Sequence, residues 1–125
     1  MSDQKPKIGA IGWLDLCVPD ADRVRDFYSA VVGWTSEPFD MGGYADHIMK
    51  SPTGEPVAGV CHARGENAKA PAQWIAYAVV ADLDASIAQV RATGGDIIDG
   101  PRAAGGGRMC IIRDPAGAAF GLWQG

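Results

Sequence analysis

The sequence is poor in the features that announce the simplest kinds of function. Histidine occurs only twice, as His47 and His62, and the three cysteines, Cys17, Cys61 and Cys110, include no CxxC spacing. An odd cysteine count without that spacing argues against both a disulfide framework and a thiolate zinc site. No apolar run approaches the length of a membrane span, and the polar start Met1-Ser2-Asp3-Gln4-Lys5 lacks the pattern of a secretory signal. Basic residues are in deficit, with 11 Lys and Arg against 15 Asp and Glu, for a formal charge of −4. Such a chain has no basic stripe with which to release counterions from phosphates, so nucleic acid is not an expected partner. The expectation is a cytoplasmic protein with free thiols that touches neither membrane nor nucleic acid.

What is present describes one ordinary globular domain written in two halves. The 125 residues are 47% hydrophobic and 21% charged, which suits a chain that buries a core. The 17 glycines imply many tight turns or close backbone approaches. Trp13 opens the run Trp13-Leu14-Asp15-Leu16-Cys17-Val18, and Trp74 opens Trp74-Ile75-Ala76-Tyr77-Ala78-Val79-Val80. Each run reaches an Asp-rich junction and then a helical pattern. In the first helix Asp20 or Asp22 is the cap, Val24, Phe27, Tyr28 and Val31 form one apolar stripe, and Gly33 is the stop. In the second, Asp82 or Asp84 caps, Leu83, Ile87 and Val90 form the stripe, and Gly94-Gly95 ends it.

Each half then closes on a Pro-x-Gly turn between extended segments, Ser51-Pro52-Thr53-Gly54 in the first and Asp114-Pro115-Ala116-Gly117 in the second. Proline presets its own φ and the glycine tolerates a positive one. The two turns and the two Trp runs recur at nearly one spacing, which marks a duplication. The polar, Pro-ended segment Arg64-Gly65-Glu66-Asn67-Ala68-Lys69-Ala70-Pro71 is the expected linker, giving modules over 8–63 and 72–125 within the single domain 1–125. Alternation in the first run sets Leu14, Leu16 and Val18 beneath the helix and Trp13, Asp15 and Cys17 on the other face. In the second run it sets Ile75, Tyr77 and Val79 beneath the helix and Trp74, Ala76 and Ala78 opposite.

With Trp13-x-Asp-Leu-x-x-Pro-Asp20, Phe27-Tyr28-x-x-x-x-Gly33-Trp34, Ala92-Thr93-Gly94-Gly95 and Asp114-Pro115-Ala116-Gly117 in this order, the chain resembles the vicinal oxygen chelate superfamily from Ile8 to Trp123. That superfamily covers glyoxalase I, bleomycin-resistance proteins and extradiol dioxygenases. The resemblance implies an α+β fold of two βαβββ modules, whose sheets form a U around a cleft with the helices on the outer face. Members of the superfamily pair their modules within one chain or exchange them between two; both bury the same faces, and of monomer and homodimer the homodimer is the preferred expectation. Metal-dependent members place His, Gln or Glu at the start of each module's first strand and on its last strand. Carried over, those positions fall on Trp13, Trp74, Gly121 and the neighbourhood of Ala58, and none of these side chains ligates a divalent cation. The implied protein therefore has no metal and no cofactor, and resembles the glyoxalase-like subgroup.

The candidate residues divide into two sets. For binding, Trp13, Trp74 and Trp123 offer indole faces that stack on planar molecules, with Asp15, Cys17, Met109 and Gly121 beside them. For catalysis, Asp15 in a partly dry setting could exchange protons together with His47 or His62. Plainer roles exist for each: half-solvated strand histidines, an Asp15 that accepts a hydrogen bond or holds a cation, and a Cys17 that is a small apolar filler. Trp34, just beyond the Gly33 stop, reads as a core plug. Gly105-Gly106-Gly107 lacks the Lys-Ser/Thr and helix of a phosphate loop and reads as a turn. The leading expectation is metal-independent binding of a small hydrophobic or aromatic organic molecule in an aromatic cleft, with sequestering resistance as one role. The alternative is a lyase or isomerase using Asp15 with His47 or His62, with or without a divalent metal at non-standard ligands.

Overall fold

The computed structural model describes residues 7–125. The polar start from Met1 to Lys5, read above as no secretory signal, lies outside the described residues. In chain order the elements are β1 (Ile11–Val18), α1 (Ala21–Val32), β2 (Thr35–Asp40), β3 (Ala45–Lys50), β4 (Pro56–His62), β5 (Trp74–Val79), α2 (Leu83–Ala92), β6 (Asp96–Ala104), β7 (Gly107–Arg113) and β8 (Ala119–Gln124). The pattern βαβββ is used twice, which makes the fold α+β. The expected linker contains a single 3₁₀ turn, Gly65–Asn67. Among the described residues no helix is long and apolar enough to cross a membrane.

The chain forms two compact units, Leu14–Trp74 and residues 7–13 with Ile75–Gly125. In the first unit the strand order is β2-β3-β4-β1. β2 and β4 run antiparallel to β3, and β1 runs parallel to β4 with Asp15 beside Gly59, Leu16 beside Val60, Cys17 beside Cys61 and Val18 beside His62. In the second unit the order is β5-β8-β7-β6, with a parallel β5/β8 pair and antiparallel pairs beyond it.

Both helices start where their sequences say. Asp20 accepts the Arg23 backbone N–H at 3.3 Å, and Asp82 accepts that of Ala85 at 3.1 Å, satisfying donors that have no partner within the helix. Gly33 ends α1 in the left-handed conformation, its N–H donated to Ser29. The closing turns are twins: Gly54 donates to the Ser51 carbonyl at 2.8 Å and Gly117 to that of Asp114 at 2.9 Å.

The apolar stripe of α1 is rotated from the one expected. Ala21, Val24 and Tyr28 face the sheet, packing with Met49, Ala58 and Val60, whereas Phe27 and Val31 are 57% and 64% exposed. The buried methyl of Ala21 lets the helix lie close to the strands, and a closely seated helix presents a narrower face. Leu14, expected beneath this helix, is 39% exposed.

A second correction concerns β5. The core under α2 contains Leu83, Ile87, Cys110 and Leu122, with Val80, Val90, Ile97, Ile112 and Phe120 around it. Leu122 pairs with Ala78 and Gly121 with Tyr77. Side chains of paired residues share a face, so Ala76, Ala78 and Val80 lie beneath α2, and Ile75, Tyr77 and Val79 lie on the opposite face. The expectation placed the bulky residues under the helix. A helix packed closely on a parallel strand pair instead takes the small ones, leaving the bulk for the other side.

Candidate functional site

Each unit has a sheet face that its helix does not cover. In the first unit that face carries Asp15, Gly59, Cys17 and Cys61, fixed by the β1/β4 register. In the second it carries Tyr77, Gly121, Ile111, Met109 and Trp123. The Tyr77 ring lies directly over Gly121, so closely that a methyl group there would overlap it. Trp123 is partly exposed, and its Nε1–H donates to the Ala104 carbonyl at 2.9 Å, which fixes the indole beside Met109, its neighbour on β7. Trp13 is partly buried and shares its strand face with Asp15 and Cys17 by alternation.

Trp74 is placed elsewhere. Its indole Nε1–H donates to the Tyr28 hydroxyl at 3.0 Å, and its ring meets those of Tyr28 and Trp34 edge-on at 5.2 and 6.2 Å between centroids. It therefore belongs to the packing of α1 in the first unit, with Trp34 as the plug expected. Its position on β5 is one residue out of phase with the helix-free face. The duplicated strand starts were matched by their tryptophans, whereas the matched faces are set by pairing.

The two histidines come together, but not with Asp15. His47 lies beside Val60 and His62 beside Val18, on the helix side of the first sheet, whereas Asp15 is on the other side. Their partners are other carboxylates. His47 is 4% exposed rather than half solvated, and its Nε2 lies 2.7 Å from Oδ1 of Asp22. The Arg25 guanidinium approaches its Nδ1 at 3.5 Å, so the tautomer with hydrogen on Nε2 satisfies both contacts. His62 gives both its backbone N–H, at 2.8 Å, and its ring Nδ1, at 3.2 Å, to the buried Asp46. Its Nε2 lies 3.7 Å from Asp22, and the two imidazole centroids are 6.1 Å apart. Tyr44 stands edge-on to His62 under the Arg64 guanidinium. Asp22 was read only as a candidate cap; because Asp20 takes that role, Asp22 is released to the histidine.

The hydrogen bond from His47, aided by the charges of His47, His62 and Arg25, holds the Asp22 carboxyl below the usual range. A carboxyl whose pKa is lower folded than unfolded stabilises the fold above the ordinary carboxylate range, and that contribution is lost as pH falls through the folded value. Asp22→Asn is therefore expected to be less stable than the parent at neutral pH, with the gap narrowing as pH falls below the ordinary carboxylate range. Urea midpoints followed from neutral pH down through the acid range measure it, and a gap that stays constant would refute the linkage.

The superfamily's metal can be tested against these residues. Trp13, Gly121 and the neighbours of Ala58 offer no ligating side chain, and neither does the helix-side Trp74 nor Ile75 next to it. Among the described residues, no group of three or more His, Cys, Asp or Glu is disposed to hold a metal ion. The donor set does not fit the group. The thiols are no readier as nucleophiles: burial pushes Cys110 up to about 11, and Cys61 is raised first by its hydrogen bond with Cys17 and then by burial.

A family model, Glyoxalase/Bleomycin resistance protein/Dioxygenase superfamily, matches residues 10–122. The anthracycline biosynthesis protein DauV of Streptomyces sp. strain C5 is 33% identical over 129 residues, covering 93% of this chain and 47% of that protein. A putative glyoxylase of Mycobacterium bovis is 34% identical over 119 residues, covering 93% and 46%. The chain thus spans about half the length of the curated relatives it matches. Among solved structures, methylmalonyl-CoA epimerase from Mycobacterium tuberculosis shares the fold, with a TM-score of 0.57 at 18% identity over 97% of this chain and 91% of that one. On the family match and the 33% relative together, the chain belongs to the glyoxalase/bleomycin resistance protein/dioxygenase superfamily.

Proposed function

We propose that this chain binds a small planar organic molecule without a resident metal, using the helix-free face of its second unit. The observation that carries this reading is Trp123. Its indole is partly exposed, pinned by the Ala104 carbonyl, and set beside Met109 on the face that also holds Tyr77 and Gly121. A fixed aromatic ring loses little freedom when a flat ligand stacks on it, which is how such walls gain affinity. Trp13, in the same unit, supplies further aromatic surface. The anthracycline biosynthesis proteins among the relatives favour a polycyclic aromatic class. The positions at which the resemblance places metal ligands, Trp13, Trp74, Gly121 and the neighbourhood of Ala58, offer no donor set, which supports the metal-independent form of this reading.

A proton-transfer enzyme built on Asp15 with His47 or His62 gains no support, because the register sets Asp15 and the imidazoles on opposite faces. The test of binding is quenching of intrinsic tryptophan fluorescence by a polycyclic hydroxyquinone. Trp123→Ala is expected to weaken binding about tenfold, equivalent to about 1.4 kcal/mol. If Trp123→Ala and Trp13→Ala both bind as the parent does, the reading is wrong.

A further inference from the structure

Cys17 and Cys61 stand side by side in the parallel β1/β4 pair, in direct register. Paired residues share a face of the sheet, so the two side chains project to the same side, the one away from α1. Cys17 is buried and Cys61 partly exposed. A disulfide needs Cα atoms about 4.4–6.8 Å apart, a range that laterally paired residues on strands about 4.8 Å apart already meet. The register thus brings the two backbones within the Cα range of a disulfide. Cys110 has no such mate: its β8 neighbour is Leu122, and it is buried beneath α2.

We propose that Cys17 and Cys61 form a redox-active dithiol, which a small-molecule disulfide converts into a cross-strand disulfide. The partly exposed Cys61, as thiolate, attacks one sulfur of the oxidant R–S–S–R. A mixed disulfide forms at Cys61 and one R–S⁻ leaves, taking up a proton to become a thiol. The Cys17 thiol then gives its proton to solvent and attacks the Cys61 sulfur, expelling the second R–S⁻. Two protein thiols are oxidised and one small disulfide is reduced to two thiols, so atoms and electrons balance. The hydrogen bond with Cys17, burial, and the negative charges of Asp15 and Asp46 keep the proton on Cys61. The first step is therefore slow, and oxidation accumulates with exposure time rather than occurring at each encounter. The bond would remove two S–H groups from the face that holds Asp15 and tie β1 to β4 across the segment containing α1, β2 and β3.

This inference concerns the first unit and is independent of ligand binding in the second. The folded full-length chain is incubated with oxidised glutathione, quenched with an alkylating reagent, digested and mapped by mass spectrometry. The expected product is a Cys17–Cys61 linked peptide pair lighter by two hydrogens, with Cys110 unmodified by glutathione and the link reversed by dithiothreitol. Cys17→Ser should stop at a glutathione adduct on Cys61, and Cys61→Ser should leave Cys17 reduced. A persistent glutathione adduct on Cys61 of the unsubstituted chain, or three cysteines still fully reduced after prolonged oxidation, would overturn the proposal. The decisive mapping uses the unsubstituted chain, so it does not depend on either variant folding.

Discussion

Trp74→Ala is expected to lower the free energy of unfolding by about 3 kcal/mol, the low end for a core tryptophan because the ring is only partly buried. The loss has two physical parts. Truncation removes the edge-on contacts with Tyr28 and Trp34 that join the start of β5 to the packing of α1. It also leaves the Tyr28 hydroxyl without the indole N–H that it accepts at 3.0 Å. Tyr28→Phe removes only that hydrogen bond and should cost about 1 kcal/mol. Urea unfolding followed by circular dichroism separates the two. Ligand affinity of the folded Trp74→Ala protein should equal that of the parent, since Trp74 lies on the helix side. Near-normal stability with lost affinity would return Trp74 to the binding surface and undo the assignment.

Gly121→Ala should destabilise by about 1–3 kcal/mol, or more if the Tyr77 ring cannot swing aside, because the added methyl falls within the space of that ring. Tyr77 is buried at 7% exposure and directly opposite on the parallel β5/β8 pair, so there is little room for relief. The signature is coupling. Tyr77→Ala removes the obstacle, and the double variant should be distinctly more stable than the sum of the single effects predicts. Additive effects would mean that the ring does not restrain position 121. The same geometry bears on chemistry, because a longer ligating side chain at Gly121 could not be installed without first displacing Tyr77.

The fold was legible in the sequence where local chemistry dictates local shape. Caps at Asp20 and Asp82, the left-handed Gly33, and the paired turns ending in Gly54 and Gly117 are short-range signals, and each determines a boundary by satisfying backbone groups or a positive φ. The faces were less legible. Alternation says which residues share a side but not which side a helix takes, and in β5 the large residues misled because a close helix selects alanines. The rotated stripe of α1 has the same origin, since Ala21 rather than Phe27 admits the strands. Of the candidate site, alternation already puts Asp15 and Cys17 on one face, whereas Cys61 is brought beside them by a parallel register that no periodicity encodes. Asp22 joins His47 from 25 positions away, and only the helix packing brings it there.

β2 leads to a different kind of consequence. All six of its residues are exposed, and it is the outermost strand of the first unit, so one row of its backbone groups is open to any incoming chain. Pro38 interrupts that row by withholding an N–H, and the charged Glu37 and Asp40 flank it, with Glu37 held by Lys50 at 2.7 Å. Replacing Pro38 with a β-branched residue would remove the interruption, and the strand would become a template for intermolecular stacking at high concentration. Protection of this sheet margin against intermolecular pairing therefore rests on one imino acid and the two carboxylates beside it.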